Sequence, residues 1–565
     1  MKCNDSKQKN PQQNRFYLLC ICLSLTFTSL LLFRDAFASD EEFNGPFSSW
    51  LDLKQDYGAI GDGKADDTAA LQKALDELVL HKRSNVLFVP SGKYRITRTL
   101  KTSRTSHKTG QGITLVGENP ETTVLSWDGA SGETMFKWDA WYSKISRLTL
   151  DGQGKAGTGL QYGPAFSTYN ETSDMFFKDM DVCLLFGGKD YKGQAENEVL
   201  RSRFLRCKTG VKTAGWNSMD IWVWYSQFED NERAIFNKKG NWHAWQNLFL
   251  RSRIADMSSN NLMVFSVVNN TSIGSRSFFD FTTGHTWGSP VSITGNQILD
   301  PTGDWAISLG NSGPYLLMDN IFRLKEGKAI KMTWGVQTLI ANQYNKPDSV
   351  LEVGHFRRID EKTVKTPDMT VDLPVMPDTP PYVKRQIFDV PVGADDWAIQ
   401  SKIDLAVKHC GQHPVVHFPA GVYRIKNTIV IPADCDLQLI GDGVETATQL
   451  IWNGQKDGTL LVLKGPSKAT LRDLSLRATN GRALLIENAD QGGGRIFADQ
   501  LNVSGPGNSD YARNRALFVN GLGRTKVQLR AFQGSGLKGT WLEVAGGETG
   551  QNYVTVLTGA SASAR

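Results

Sequence analysis

Residues 56–68 read Asp-Tyr-Gly-Ala-Ile-Gly-Asp-Gly-Lys-Ala-Asp-Asp-Thr, and they constrain the fold more than any other stretch. Gly58, Gly61 and Gly63 make a turn, and Asp66 and Asp67 stand ahead of an apolar-periodic run from Ala69 to Val79. That is the pattern of a short helix with an Asp-led start. Two short strands broken by Pro90-Ser91-Gly92 follow, from Val86 to Ile96. The helix is expected to close the end of a stack of strands and to shield the first edge. The glycines do not make a phosphate loop, because no buried strand precedes them and no Lys-Ser/Thr pair ends them.

The block occurs twice. Residues 392–400 repeat the turn and helix start in degraded form, with Asp395 and Asp396 in place of Asp66 and Asp67. Val415 to Ile425 repeats the strand-turn-strand, and Val415 stands 329 positions after Val86. Leu437 to Gly443 repeats Ile113 to Asn119. A repeat this long is a duplicated domain rather than a solenoid unit.

The glycine-rich turn with its Asp-Asp-Thr helix start, followed by Pro-x-Gly-x-Tyr-x-Ile, resembles the N-terminal signature of the pectate-lyase superfamily. The resemblance implies right-handed parallel β-helices and work on polysaccharides, as lyases, hydrolases, epimerases or phage tailspikes. Two such domains in one chain resemble the laminarinase-type exo-β-1,3-glucanases. There the helices lie side by side, the active site is in the cleft between them, and the C-terminal helix contributes a glutamate as general acid. The expected fold is therefore all-β, with two tandem single-stranded right-handed parallel β-helix domains. Residues 50–346 would form the first and 386–565 the second. The Pro-rich stretch 347–385 would link them, since proline at that density disfavours continuous ladders. No capping element is visible after Thr558, so the second domain reads as truncated or completed by a partner.

Phe204, Phe228, Phe249, Ile273, Ile298, Phe322 and Tyr344 recur at intervals of 24, 21, 24, 25, 24 and 22. That interval is one coil of a β-helix, so equivalent positions stack along the axis. Asn247, Asn296, Asn320 and Asn342 each stand two residues before a marker and read as turn asparagines. Gly at 54 residues and aromatics at 10% suit a turn-rich β protein that exposes rings.

Residues 1–38 read as a secretory signal peptide. Lys7, Lys9 and Arg15 precede a charge-free run from Phe16 to Phe33, and Ala36-Phe37-Ala38 is an A-x-A cleavage site. The run is long enough that an uncleaved anchor is the alternative. The protein is thus expected to be secreted or periplasmic, or anchored if the segment stays. Much of the net charge of +5 sits in this segment, and no basic stripe remains to suggest nucleic acid. Cys183 with Cys207 and Cys410 with Cys435 form neither a disulfide framework nor a CxxC metal site, and free thiols or bonds both fit them. No metal site, nucleophilic Cys/His pair or GxSxG motif appears. No cofactor is expected, apart from calcium in the lyase case.

The chemically suggestive stretch is 216–256. Trp222 and Trp224 share a strand face, which is either core or a sugar platform, while Trp242 and Trp245 flank a turn and are expected to be exposed. His285, Trp287 and Trp334 add to them in later coils. Asp230 and Glu232 are the candidate acid pair, alternating along the coils with Arg206, Lys208, Arg251 and Arg253. The same pattern fits a surface salt ladder. Glu543 beside Trp541 is the candidate general acid, with a raised pKa, and Glu487 and Glu548 are the other acids considered in that half.

Three functions follow. One is an extracellular glycoside hydrolase acting on a β-glucan by an inverting mechanism, with Glu543 donating a proton and Asp230 or Glu232 activating water. Another is a polysaccharide lyase on a uronate polymer, which needs a base, often Lys or Arg, and a cation to neutralise the uronate. The last is a non-catalytic carbohydrate-binding surface protein.

Overall fold

A computed structural model of the protein describes residues 41–565, apart from 104–108, 165–166, 189–190, 192, 261–262, 282–288, 311–312, 353–354, 488–491, 506–515, 522–524, 531–532, 536–541, 546–553, 558–561 and 564–565. The signal segment, His285, Trp287, Trp541 and Glu548 lie outside the described residues. No helix among the described residues is long and apolar enough to cross a membrane.

The chain winds into a right-handed parallel β-helix. Each coil donates one strand to each of three sheets, and every pairing is between parallel strands of successive coils. Sheet I runs from Leu51–Asp52 to His355–Ile359 and sheet II from Asp62–Asp66 to Lys362–Thr363, with 13 strands each. Sheet III runs from Leu100–Lys101 to Val350–Glu352 with 11 strands. The strands are only two to five residues long, so alternation decides what is core. In Thr209–Thr213, for example, Val211 is fully buried while Lys212 points out. All three ladders pass position 346, so strands continue into the stretch expected to be linker.

Inward positions stack as the coil period requires. Phe177, Phe204, Phe228 and Phe249 lie ring on ring at 5.1, 4.5 and 5.1 Å. The next position in register is Ser272, not the expected Ile273. Ile298, Phe322 and Tyr344 resume the column. The lost volume is replaced from the neighbouring strand, where Phe278 packs edge-on against Phe249. Ser272 donates to the buried carboxylate of Asp256. The turn asparagines form a ladder between sheets I and II. Asn247 donates to Asn270, Asn270 to Asn296, Asn296 to Asn320 and Asn320 to Asn342, at 2.8–3.0 Å. Each also donates to a backbone carbonyl, which satisfies buried groups at the bend. Cys183–Cys207 joins adjacent coils as a disulfide, and Cys410–Cys435 is a second one, so all four of these cysteines are bonded.

Helix Thr68–Val79 closes the first coil with Leu71, Leu75 and Leu78 buried. Asp67 does not cap it by a side-chain bond. Its carboxylate instead accepts from the amides of Ile60 and Gly61 and so holds the glycine-rich turn. In the repeat, Asp395 does cap helix Asp396–Val407, accepting from Ala398.

The ladders stop at Thr363 and restart at Ile387. From there sheet IV (Ile387–Asp389 onwards) and sheet V (Ile429–Ile431 to Leu542–Ala545) continue the coiling. Strand Thr470–Arg477 pairs with both Gln438–Gly441 and Thr448–Trp452, so a corner of the coil is straightened there.

The expected pair of tandem domains facing each other across a laminarinase-type cleft is not what forms. Residues 44–379 and 384–565 make one compact unit of solenoid coils. The physical reason is a packed polar seam where the duplicated half meets sheet I. Lys144 pairs with Glu171 at 3.2 Å and reaches Asp473 at 3.7 Å, and Gln500 donates to Glu171 at 2.8 Å. Trp50 donates to Asp442 at 2.6 Å, and Thr446 to the Gln111 carbonyl at 3.0 Å. Gly112, at φ +62°, leaves no room for a side chain, since a Cβ would lie 2.1 Å from the Val444 oxygen. Separating the halves would strand these charges, so the duplication does not make independent domains. Phe43 and residues 380–383 form a small unit of their own, in which Phe43 bridges Tyr382 and exchanges backbone bonds with Pro381 and Val383.

Candidate active site

The outer face of sheet III gathers two cations at one aromatic ring. Leu185, Lys212 and Phe236 occupy one outward column in three successive coils. Their inward neighbours Leu184, Val211 and Ile235 are fully buried, which fixes the outward direction of the column. Arg233 opens the strand that carries Phe236. The Lys212 ammonium lies 5.9 Å from the centre of the Phe236 ring, and the Arg233 guanidinium 5.4 Å. One aromatic face thus gathers two cations on an open sheet. Desolvation and, after it, the charge of Lys238 hold the Lys212 pKa below the usual lysine value. A lysine depressed in this way is a candidate general base.

The turn before Arg233 forms one rim. Asp230 and Glu232 both lie in it, directly ahead of the strand. Arg251 donates to Asp230 at 2.8 Å and also to Glu229, and Arg253 reaches Glu232 at 3.4 Å. Arg251 foremost holds Asp230 below the usual carboxylate range. The ladder extends backwards as Arg206–Asp179 and Lys208–Asp181, both at 2.7 Å. Next to it Arg251, Arg253, Arg276 and Asp304 line an open hollow of about 490 Å³. On the other side of sheet III the chain leaves through Trp216, which is 78% exposed.

The remaining expected residues fall elsewhere. Trp222, Trp224, Trp242 and Trp245 belong to sheet I, so the structure does not group them with Asp230 and Glu232. Trp242 is not exposed. It points into the core against Phe265 and Phe279, because it sits in register with inward Ile221. Trp224 faces outward but is buried on the face that carries the seam. Trp222 and Trp245 stay half-buried, edge to face at 5.1 Å. Glu543 lies on sheet V in register with Phe518, a different sheet from the other candidates. Lys212, Arg233 and Phe236 were missed. The coil period could have found them, since Lys212 and Phe236 each follow their marker, Phe204 and Phe228, by eight positions.

A calcium ion does not fit the Asp230–Glu232 rim, because those carboxylates are already engaged by Arg251 and Arg253. Among the described residues, one cluster has metal-ligand spacing, Cys410, Cys435 and Asp436, and its two sulfurs are joined to each other.

A stretch of 111 residues is 33% identical to alginate lyase 7 of Azotobacter vinelandii, covering 17% of this chain and 12% of that protein, so the match spans about an eighth of the relative's length. Among solved structures, ORF18 of Geobacillus virus E2 aligns with a TM-score of 0.40 and 13% identity, over 56% of this chain and 60% of that one. The PL6 family alginate lyase AlyGC aligns with a TM-score of 0.36 and 11% identity, over 86% of this chain and 87% of that one. Residues 53–245, which include Lys212 and Arg233, match the family model described as rhamnogalacturonase A/epimerase, pectate lyase-like, in agreement with the pectate-lyase-like β-helix.

Proposed function

We propose that the protein is a carbohydrate-active enzyme that cleaves a uronate-containing polysaccharide by β-elimination on the outer face of sheet III. The observation that carries this reading is the depressed, half-buried Lys212 beside Arg233 over the Phe236 ring. The match to a pectate-lyase-like family model over these residues and the segment shared with an alginate lyase support it. Neutral Lys212 takes the proton from the carbon next to the uronate carboxyl. The carbon–hydrogen electron pair becomes the new ring double bond, and the glycosidic carbon–oxygen bond breaks. The leaving oxygen takes a proton from solvent. Arg233 pairs with the uronate carboxylate and stabilises the charge that builds on it in the transition state. Phe236 offers a face to the sugar ring.

The hydrolase reading assigns the work to Glu543, Asp230 and Glu232, and the binding reading assigns none. A screen of uronate and neutral polymers separates all three. Elimination gives an unsaturated, ultraviolet-absorbing end with each new reducing end. New reducing ends without that absorbance would replace this reading by hydrolysis, and binding with no product would replace it by the non-catalytic role.

A further inference from the structure

The corner that leads from sheet III into sheet I carries a second set of sugar-compatible groups. Tyr142, Tyr169, Glu196 and Asp220 each stand two residues ahead of the in-register row Lys144, Glu171, Glu198 and Trp222. They therefore occupy one corner in four successive coils, with φ values of 52°, 56°, 50° and 52°. The Tyr142 and Tyr169 rings stack at 4.8 Å and 13°. One coil further the rings give way to the two acids. Asn241 donates to Asp220 at 3.1 Å, and His243 Nε2 lies 3.2 Å from the same oxygen. Trp222 stacks on His243 at 4.3 Å. Tyr142, Tyr169 and Trp222 are half-buried, and the Asp220 side chain is 48% exposed. His243 Nδ1 and Trp245 Nε1 are buried without a hydrogen-bond partner among the described residues. Buried polar atoms are almost always paired, so these two orphans mark the patch as one whose polar groups are not satisfied from within the fold.

We propose that this corner is a second carbohydrate site, which takes a neutral glycan along the coil axis. Tyr142 lies between Trp141 and Tyr169, so the ring faces offered to a sugar are those of Tyr169 and Trp222, and Glu196 and Asp220 exchange hydrogen bonds with hydroxyls. Burial, and then the Asp220 charge, raise the Glu196 pKa. Two adjacent acids disfavour a uronate, which gives this corner the opposite charge preference to Lys212 and Arg233. The inference takes only its ligand class from the proposed function, and its test reads binding rather than cleavage.

The experiment is native-gel retardation of the full chain in gels containing hydroxyethyl cellulose, laminarin, xylan, galactomannan or sodium alginate. At least one neutral polymer should retard the wild type and Lys212→Ala equally. Tyr169→Ala and the isosteric Asp220→Asn should weaken that retardation at least tenfold while keeping the wild-type melt. Their rate on any uronate polymer that the wild type cleaves should not change. No retardation by any neutral polymer, or equal retardation of both variants, would overturn the proposal. A change of oligomeric state in the variants, read by light scattering, would instead assign the patch to a protein contact and also overturn it.

Discussion

The outer faces of sheet I and sheet III are built by the same coils and have opposite fates. On the face of sheet I, charges are buried and matched. Lys144 sits between Glu171 and Asp473, and on the facing sheet IV Arg530 grips Asp499 through two bonds of 2.8 and 2.7 Å. On sheet III Lys212 stands in register with the aromatic Phe236 and is pressed by Lys238, and neither it nor Arg233 has an ion pair among the described residues. A buried matched network fixes how the coils pack. An open unmatched pair of cations holds energy that a ligand can recover. The contrast separates charges that serve the fold from charges that, in the proposed function, serve chemistry.

The largest break in that contrast should come from the matched side. Arg530→Ala removes the paired guanidinium from Asp499, which is 4% exposed, and the expected loss is about 3–5 kcal/mol of stability. Chemical denaturation would read it, and Lys212→Ala should show no comparable loss.

Asp256 is a further buried carboxyl, set in the core among serines. Burial pushes its carboxyl up to about 7, against the opposing hydrogen bond of Ser272. The folded state therefore keeps a proton that the unfolded chain releases at about pH 4. Its contribution is fully present below that pH and is lost as pH rises to about 7, after which it is flat. Melts across this window should show a decline of a few kcal/mol in the wild type that Asp256→Asn abolishes. An unchanged slope in the variant would remove Asp256 as the cause.

The open side predicts smaller, kinetic effects. If neutral Lys212 is the base, kcat/KM rises with pH along a limb set by its depressed pKa. Lys238→Ala removes one cause of that depression, so the limb should move to higher pH with little change in the plateau. A limb that stays in place would mean that Lys212 does not govern it. The smallest effect belongs to the exposed rim. Asp230→Asn loosens one surface ion pair with Arg251 and should cost no more than about 1 kcal/mol of stability.

The sequence showed the coil long before the site. Aromatic markers and asparagines recur at the coil period because every inward position must fill the same space and every bend must satisfy the same carbonyls. Even the departure at Ser272 obeys that logic, since Phe278 supplies the missing volume. The long repeat misled, because duplicated residues do not say whether their faces will be wet or packed. Trp242 misled for a related reason, since a turn beside Gly240 and Asn241 says nothing of which way the next strand points. Lys212 and Arg233 carry no motif, and their significance comes from burial, a neighbouring lysine and a shared ring, none of which is local in sequence.

Elimination on sheet III stands or falls with Lys212. The most direct measurement is the rate of unsaturated-product formation from a cleaved uronate polymer by the wild type and Lys212→Ala, with matched melts. Loss of the base should lower kcat by about 10²–10⁴-fold. Undiminished formation of the unsaturated product by the variant would contradict it.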